Sequence, residues 1–161
     1  MAVKPIPRGY AGATPYLIVR DADRALEFYR KVFDAKPVLH LTYPDGKVAH
    51  AEIAIGEGHV MVSEELPEQG FRGPLTFGGT PVSLLVYVED VDAVFEKAIA
   101  SGAETRHPVA DQFYGDRSGT IVDPFGHVWS IATHKKDMSG EEMQKALDAQ
   151  MAGTVQESKD R

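Results

Sequence analysis

The sequence predicts an α+β fold of two tandem βαβββ modules, whose strands form an open, cup-shaped mixed sheet. The first observation is an internal repeat, since the segment 19–27 returns at 88–96 with Val, Asp, Asp and Glu at matching positions. The second is that each copy combines short β-forming runs with one helical segment. The third is a Gly/Pro-rich linker at 66–81 that separates the copies. Such a repeat indicates a fold of two similar units, because two packed copies bury apolar surface that a single copy would leave exposed.

The first module is predicted over residues 13–65, after an irregular arm at 1–12 that contains two prolines and two glycines. A run of β-formers at 14–19 predicts the opening strand. Apolar residues at helical spacing follow from Ala25 to Phe33, behind aspartates that can cap a helix. Three further strands are expected, at 38–43, 48–55 and 59–64.

The second module is predicted over residues 82–134. It repeats the order with a helix at 91–101, which Gly102 ends. Beyond it, an amphipathic C-terminal helix is expected within 135–152, followed by a polar, disordered tail at 153–161. The strands of this module are predicted at 82–88, 103–109, 118–122 and 128–133.

Composition narrows the functional classes. The chain has 161 residues, a net charge of −7 and no basic cluster, which argues against nucleic-acid and anionic-membrane partners. No apolar run is long enough to span a bilayer, and no secretory signal is evident, so a cytoplasmic protein is expected. The absence of cysteine excludes disulfides, thiolate catalysis and zinc–thiolate sites.

His50 and Glu52 form the strongest polar pair. Residues two apart on a strand project from the same face, about 7 Å apart along it. The neighbouring Ala51 and Ile53 then face the helix, so the pair is expected to look into the cup. A His–carboxylate pair can perform general acid–base catalysis or hold a ligand, and the alternative is a hydrogen-bonded pair that merely lines a wet surface.

A second candidate lies in the loop 112–117, which combines aromatic and charged residues around a glycine. Phe113 and Tyr114 are predicted to stack on a ligand, and Asp116 and Arg117 to hydrogen-bond it. The alternative for the charged residues is an ion pair that fixes the loop, or a dimer contact. Elsewhere, Trp129 is predicted to pack in the core, and His107 and His134 to lie at the surface.

Several of these segments resemble a known family. The strand–helix openings at 19–29 and 86–92 and the closing turn Asp123-Pro124-Phe125-Gly126-His127 are similar to the glyoxalase/bleomycin-resistance/dioxygenase superfamily, or vicinal oxygen chelate fold. The stretch Asp116-Arg117-Ser118-Gly119 resembles its bleomycin-resistance-like, uncharacterised subgroup. The resemblance covers residues 13–134 and implies the βαβββ cup.

The resemblance also implies where a divalent metal would bind, on the first and last strands of each module. Mapped onto this chain, those positions are Thr14 and Ser83 on the first strands and Val62 and Ser130 on the last strands. None of these is a usual ligand, since valine has no donor atom and neutral hydroxyls bind divalent ions weakly. No cofactor is therefore expected, a divalent metal is disfavoured, and the four positions are expected to contact a ligand instead.

The sequence and the resemblance thus predict a metal-free protein that binds and can sequester a small hydrophobic, aromatic or cationic molecule, as bleomycin-resistance relatives do. A homodimer is expected from the resemblance. The alternative is a glyoxalase-like lyase or isomerase, or a dioxygenase, with an atypical metal site or with His50 and Glu52 as an acid–base pair.

Overall fold

The computed structural model describes residues 3–159, which form two four-stranded mixed sheets and four α-helices. In the first module the elements are β1 (Tyr16–Val19), α1 (Ala22–Phe33), β2 (Lys36–Thr42), β3 (Val48–Ile55) and β4 (Gly58–Glu64). In the second they are β5 (Ser83–Tyr87), α3 (Val91–Ala100), β6 (Glu104–Asp111), β7 (Asp116–Val122) and β8 (Val128–His134). The segment between them holds a 3-10 turn and the short helix α2 (Pro74–Phe77), and α4 (Gly140–Lys159) ends the chain.

The two sheets repeat one topology. The first has the strand order β1-β4-β3-β2 and the second β5-β8-β7-β6, with the opening strand of each module parallel to its last strand. The remaining neighbours are antiparallel. This arrangement confirms the α+β class and the two tandem βαβββ modules.

Helix α1 begins where two carboxylates satisfy its free amide groups. Asp21 adopts a left-handed conformation, and its side chain accepts a hydrogen bond from the amide of Arg24. Glu64, at the end of β4, accepts bonds of 2.9 Å from the amides of Asp21 and Ala22. These contacts fix the start of the helix and tie it to its sheet. Its buried face consists of Ala22, Ala25, Phe28, Tyr29, Val32 and Phe33.

The two modules share one aromatic core. The ring centroid of Trp129 on β8 lies 5.4 Å from that of Tyr29 and 4.7 Å from that of Phe33, both on α1. The carboxylate of Asp123, only 3% exposed, accepts hydrogen bonds from the Tyr29 hydroxyl (2.8 Å) and the Trp129 indole (2.9 Å). Burial and the Asp123 charge raise the pKa of Tyr29 well above its ordinary value, so the phenol stays a donor. Each sheet therefore turns its helix-covered face toward this core and its open face away from it.

The strand registers correct one sequence prediction. Val62 pairs with Leu17 across β1 and β4 and is fully buried in the core, whereas it was expected to face the ligand. In the second module, Ile131 occupies the same place opposite Val86. Val62 is thus the counterpart of Ile131 and not of Ser130, because the β3–β4 turn is shorter than the β7–β8 turn. A slip of one residue along a strand exchanges its two faces, so the open-face position on β4 belongs to Met61.

The C-terminal helix extends beyond its predicted end. It continues from Gly140 through positions 153–159, where a disordered tail was expected. Most residues of that stretch are compatible with a helix, and one internal glycine costs only about 1 kcal/mol. The last two positions of the predicted tail, 160 and 161, lie outside the described residues, as do positions 1 and 2 of the predicted arm. Among the described helices, none is long and apolar enough to cross a membrane.

Candidate functional site

The open face of the second sheet carries a groove with a cavity of about 540 Å³. Strand alternation builds it, since every second side chain of β5, β7 and β8 projects from this face. Leu85 and Ala132 supply apolar surface. The polar lining consists of rings, hydroxyls, one amide and one carboxylate, from Ser83, Tyr87, His107, Gln112, Tyr114, Asp116, Ser118, Thr120 and Ser130.

A buried carboxylate lies at one end of this groove. Asp116, at the start of β7, is 6% exposed, and one of its oxygens accepts a 2.7 Å hydrogen bond from the Tyr87 hydroxyl. Its other oxygen lies 2.7 Å from Nδ1 of His134, whose Nε2 lies 3.0 Å from Asp137. Ionised carboxylates can only accept, so this arrangement favours the imidazolium form of His134, in which both ring nitrogens donate.

The pKa shifts agree with this charge assignment. Burial alone would raise the pKa of Asp116, but the hydrogen bonds from Tyr87 and His134 outweigh it and hold that pKa below its ordinary value. The hydrogen bonds to Asp116 and Asp137 raise the pKa of His134. The hydrogen bond to Asp116 raises the pKa of Tyr87. Tyr87 is therefore a neutral phenol, 56% exposed, whose oxygen can still accept a hydrogen bond from a ligand.

A different set of polar residues lies on the open face of the first sheet. Nε2 of His50 is 3.0 Å from a carboxylate oxygen of Glu52, and the Tyr16 hydroxyl is 3.0 Å from Nδ1 of His50. The second carboxylate oxygen of Glu52 accepts a hydrogen bond from the hydroxyl of Tyr10 in the N-terminal arm. These hydrogen bonds, that of Tyr10 first, lower the pKa of Glu52. The pair is thus adjacent, as its spacing predicts, but it does not line the groove.

A larger cleft, of about 800 Å³, runs along the edge of β5 toward the β3–β4 turn. Its walls combine apolar residues with charged ones, among them Asp34 and Lys36, which form an exposed ion pair at 2.6 Å. Surface pairs of this kind contribute little. Tyr87 provides the one side-chain hydroxyl in the lining of this cleft, whereas several hydroxyls converge in the second-module groove, which is the better candidate for specific binding.

Comparison with known proteins decides the family. A profile of the Glyoxalase/Bleomycin resistance protein/Dioxygenase superfamily matches residues 11–131, about three quarters of the chain. The chain belongs to this superfamily. The uncharacterized protein Rv0887c of Mycobacterium tuberculosis is 39% identical to it over 143 residues, which are 87% of this chain and 84% of that relative.

Solved structures share the superfamily fold. TioX from Micromonospora sp. ML1 is 28% identical, with a TM-score of 0.59 over 80% of this chain and 100% of TioX. The fosfomycin resistance protein FosX from Listeria monocytogenes is 18% identical, with a TM-score of 0.59 over 83% of this chain and 97% of FosX. The likeness to FosX is evidence of the fold alone.

The four positions that the family resemblance assigns to a metal carry no usual ligand in this chain. Ser83 and Ser130 line the groove, Thr14 precedes β1, and the position assigned to Val62 is held by Met61. Thioether and neutral hydroxyl groups are poor ligands for divalent zinc, nickel, manganese or iron. Among the side chains described, those of residues 3–152, no three from His, Asp or Glu converge on one point as the ligands of a metal ion would.

The structure brings only some of the predicted site residues together. Ser83, Tyr114, Asp116 and Ser130 line one groove. Phe113 packs edge-on against Tyr114, with ring centroids 5.1 Å apart, but does not itself line the groove.

Arg117 projects from the opposite face of β7. It donates hydrogen bonds of 2.8 and 2.7 Å to Asp92 at the start of α3 and one of 3.2 Å to Asp111 on β6. It therefore ties helix and strands together and stands away from the groove. Asp116 pairs with His134 and not with Arg117, so the alternative of an Asp116–Arg117 ion pair is not what the structure shows.

The sequence reasoning missed three residues. Tyr87 and His134 flank Asp116, and His107 lines the groove. Both histidines are exposed, as predicted, but their place beside the groove was not predicted. The alternation of side chains along β8 could have predicted the place of His134. This residue lies two positions beyond Ala132 and four beyond Ser130, so its side chain projects from the same face. Its link to Asp116 depends on the β7–β8 register, which pairs the two residues directly.

Proposed function

We propose that this chain is a metal-free small-molecule-binding protein whose ligand lies in the second-module groove. The observation that carries the proposal is the combination, in one open cavity of about 540 Å³, of two tyrosine rings, several hydroxyls and the buried carboxylate of Asp116. Rings favour flat apolar ligands by stacking, while hydroxyls fix their orientation through hydrogen bonds. The net charge of −7 favours a cationic ligand.

The hydroxyl end of the groove supports a polar contact in place of a metal. The hydroxyls of Thr120 and Ser130 are 3.3 Å apart, and Ser83 lines the same wall. Hydroxyls both donate and accept, so they can adapt to a ligand amide, hydroxyl or ammonium group. They do not supply the charge that would hold a divalent ion.

Bleomycin, which is aromatic and cationic, is a suitable first probe. Calorimetric titration of the purified protein should detect binding without added metal, and metal analysis should find no stoichiometric nickel, zinc, manganese or iron. Tyr114→Ala should weaken binding about threefold to tenfold through lost stacking, whereas Tyr43→Ala, in the β2–β3 turn, should not. Stoichiometric metal, or equal affinities of these two variants for a bound aromatic cation, would contradict the proposal.

A second candidate function uses the His50–Glu52 pair. Its 3.0 Å separation suits proton transfer, and His50 would act as the shuttle of a glyoxalase-like lyase or isomerase. Turnover of a glutathione hemithioacetal that disappears in His50→Ala would favour this function. If His50 instead holds a ligand on the open face of the first sheet, the same variant should weaken the binding of that ligand while the protein remains folded.

The proposal includes a homodimer in the cytoplasm, with no nucleic-acid or membrane partner. Apolar side chains on the open face of the first sheet support dimerisation, since Tyr16, Leu39 and Leu41 are 48%, 40% and 50% exposed. Sedimentation of a monomer at micromolar concentration would reject the dimer.

A further inference from the structure

The N-terminal arm lies on the open face of the first sheet. Tyr10 stacks on His59 of β4, with ring centroids 4.6 Å apart and planes tilted by 33°. Its hydroxyl donates a hydrogen bond to Glu52 on β3. The arm thus contributes one aromatic side chain that is recognised at both its ring and its hydroxyl.

The backbone of the arm is shaped to make this contact. The amide of Tyr10 donates to the carbonyl of Pro7 at 3.2 Å, which forms a turn. Gly9 has a φ of +89°, and a Cβ atom there would lie 2.6 Å from Cε1 of His59. A residue with a side chain would be strained and would collide with the imidazole, so glycine allows the arm to approach this closely.

The receiving surface is a ready-made polar cluster. One oxygen of Glu52 is held 3.0 Å from His50, which Tyr16 orients from its other side, so the second oxygen is the one that faces Tyr10. Glu52 has a side chain only 16% exposed. Nδ1 of His59 is buried, and within the described part of the chain it meets no hydrogen-bond partner.

We propose that this cluster is a binding site for a phenol, and that Tyr10 is its internal occupant. A para-substituted phenol would place its ring on His59 and donate its hydroxyl to Glu52, as the Tyr10 side chain does. Such a ligand would have to displace the arm. This site lies on the first sheet, so it is distinct from the second-module groove and does not depend on the function proposed for that groove.

The probe that tests the site is 4-methylphenol, the isolated side chain of tyrosine. It is titrated into the full-length wild type and Tyr10→Ala, while the Cε1–H resonance of His59 is followed by NMR. A tethered group competes at a high effective concentration, so removal of Tyr10 should strengthen 4-methylphenol binding at His59 by at least about tenfold. Tyr43→Ala, which removes a tyrosine elsewhere, should behave like the wild type.

Toluene serves as the ligand without the hydroxyl and should bind Tyr10→Ala more weakly than 4-methylphenol. Equal binding of the two ligands would overturn the assignment to phenols. No response of His59 in Tyr10→Ala, or the same response in the wild type, would overturn the site itself.

Tyr10→Phe provides the test if Tyr10→Ala does not fold. It keeps the ring on His59 but releases the oxygen of Glu52, so 4-methylphenol should bind it more tightly than it binds the wild type. Unchanged binding would reject the role of the Glu52 hydrogen bond. The resonances of His107 and His134 report the second-module groove separately, so failure at one site is distinguishable from failure at the other.

Discussion

Tyr29→Phe tests the bond that joins the two modules. The hydroxyl of Tyr29 on α1 donates at 2.8 Å to Asp123, which lies in the turn between β7 and β8. The variant keeps the ring contacts with Phe33 and Trp129 and removes only this donor. A buried hydrogen bond to a charged group contributes about 1.5–3 kcal/mol, so the free energy of unfolding should fall by that amount.

Urea denaturation measures the effect. With a slope of about 2 kcal/mol per molar urea, the midpoint should fall by about 1 M. For a domain of this size, the melting temperature should fall by about 4–10 °C. Tyr43→Phe, at an exposed turn, is the matched control and should change neither value. A loss below about 0.5 kcal/mol, the range of ordinary surface substitutions, would refute the argument that this bond holds the modules together.

Three further outcomes are expected from stability measurements. Val62→Ser should cost about 3 kcal/mol, because it leaves a cavity and buries a hydroxyl, whereas Met61→Ser on the open face should cost clearly less; equal losses would contradict the assigned register. Gly115→Ala should lower the melting temperature, since its φ is +98° and a Cβ there would overlap a backbone carbonyl; an unchanged melting curve would show that the turn adapts. His134→Gln should destabilise most at mildly acidic pH: Asp116 raises the pKa of His134, so its contribution is present below the unfolded-state value of about 6.5 and is lost as pH rises through the folded-state pKa. A stability difference that grows with pH would contradict that linkage.

The repeat predicts most of the fold because it reflects the local spacing of apolar and polar residues along each segment. On β8, alternation places Trp129 and Ile131 under the helix and Ser130 on the open face, as the structure does. On β4 the assignment of the inward position to Val62 is wrong by one residue, because the β3–β4 turn is shorter than the β7–β8 turn. Met61 holds that position. Parity along one strand is a local property, whereas the alignment of two strands depends on the loop between them.

The candidate site is less accessible to sequence reasoning because it depends on contacts between distant segments. The His50–Glu52 pair follows from spacing alone. Tyr10 reaches Glu52 across 42 positions, and Tyr87 reaches Asp116 across 29, so strand pairing and the path of the arm decide both contacts. The shared core has a similar origin, because the repeat indicates two modules but not which face each presents to the other.

The packing of the two helix-covered sheet faces around one shared core has an evolutionary consequence. A duplicated gene begins with two identical recognition surfaces, and here their supporting sides are locked together by Tyr29, Asp123 and Trp129. Selection can therefore change the side chains on the open face of one sheet without disturbing the core packing that supports the other sheet. The open face of the second sheet now carries hydroxyls and His107, while that of the first sheet contacts Tyr10 of its own arm. Two copies of one repeat therefore expose different polar side chains.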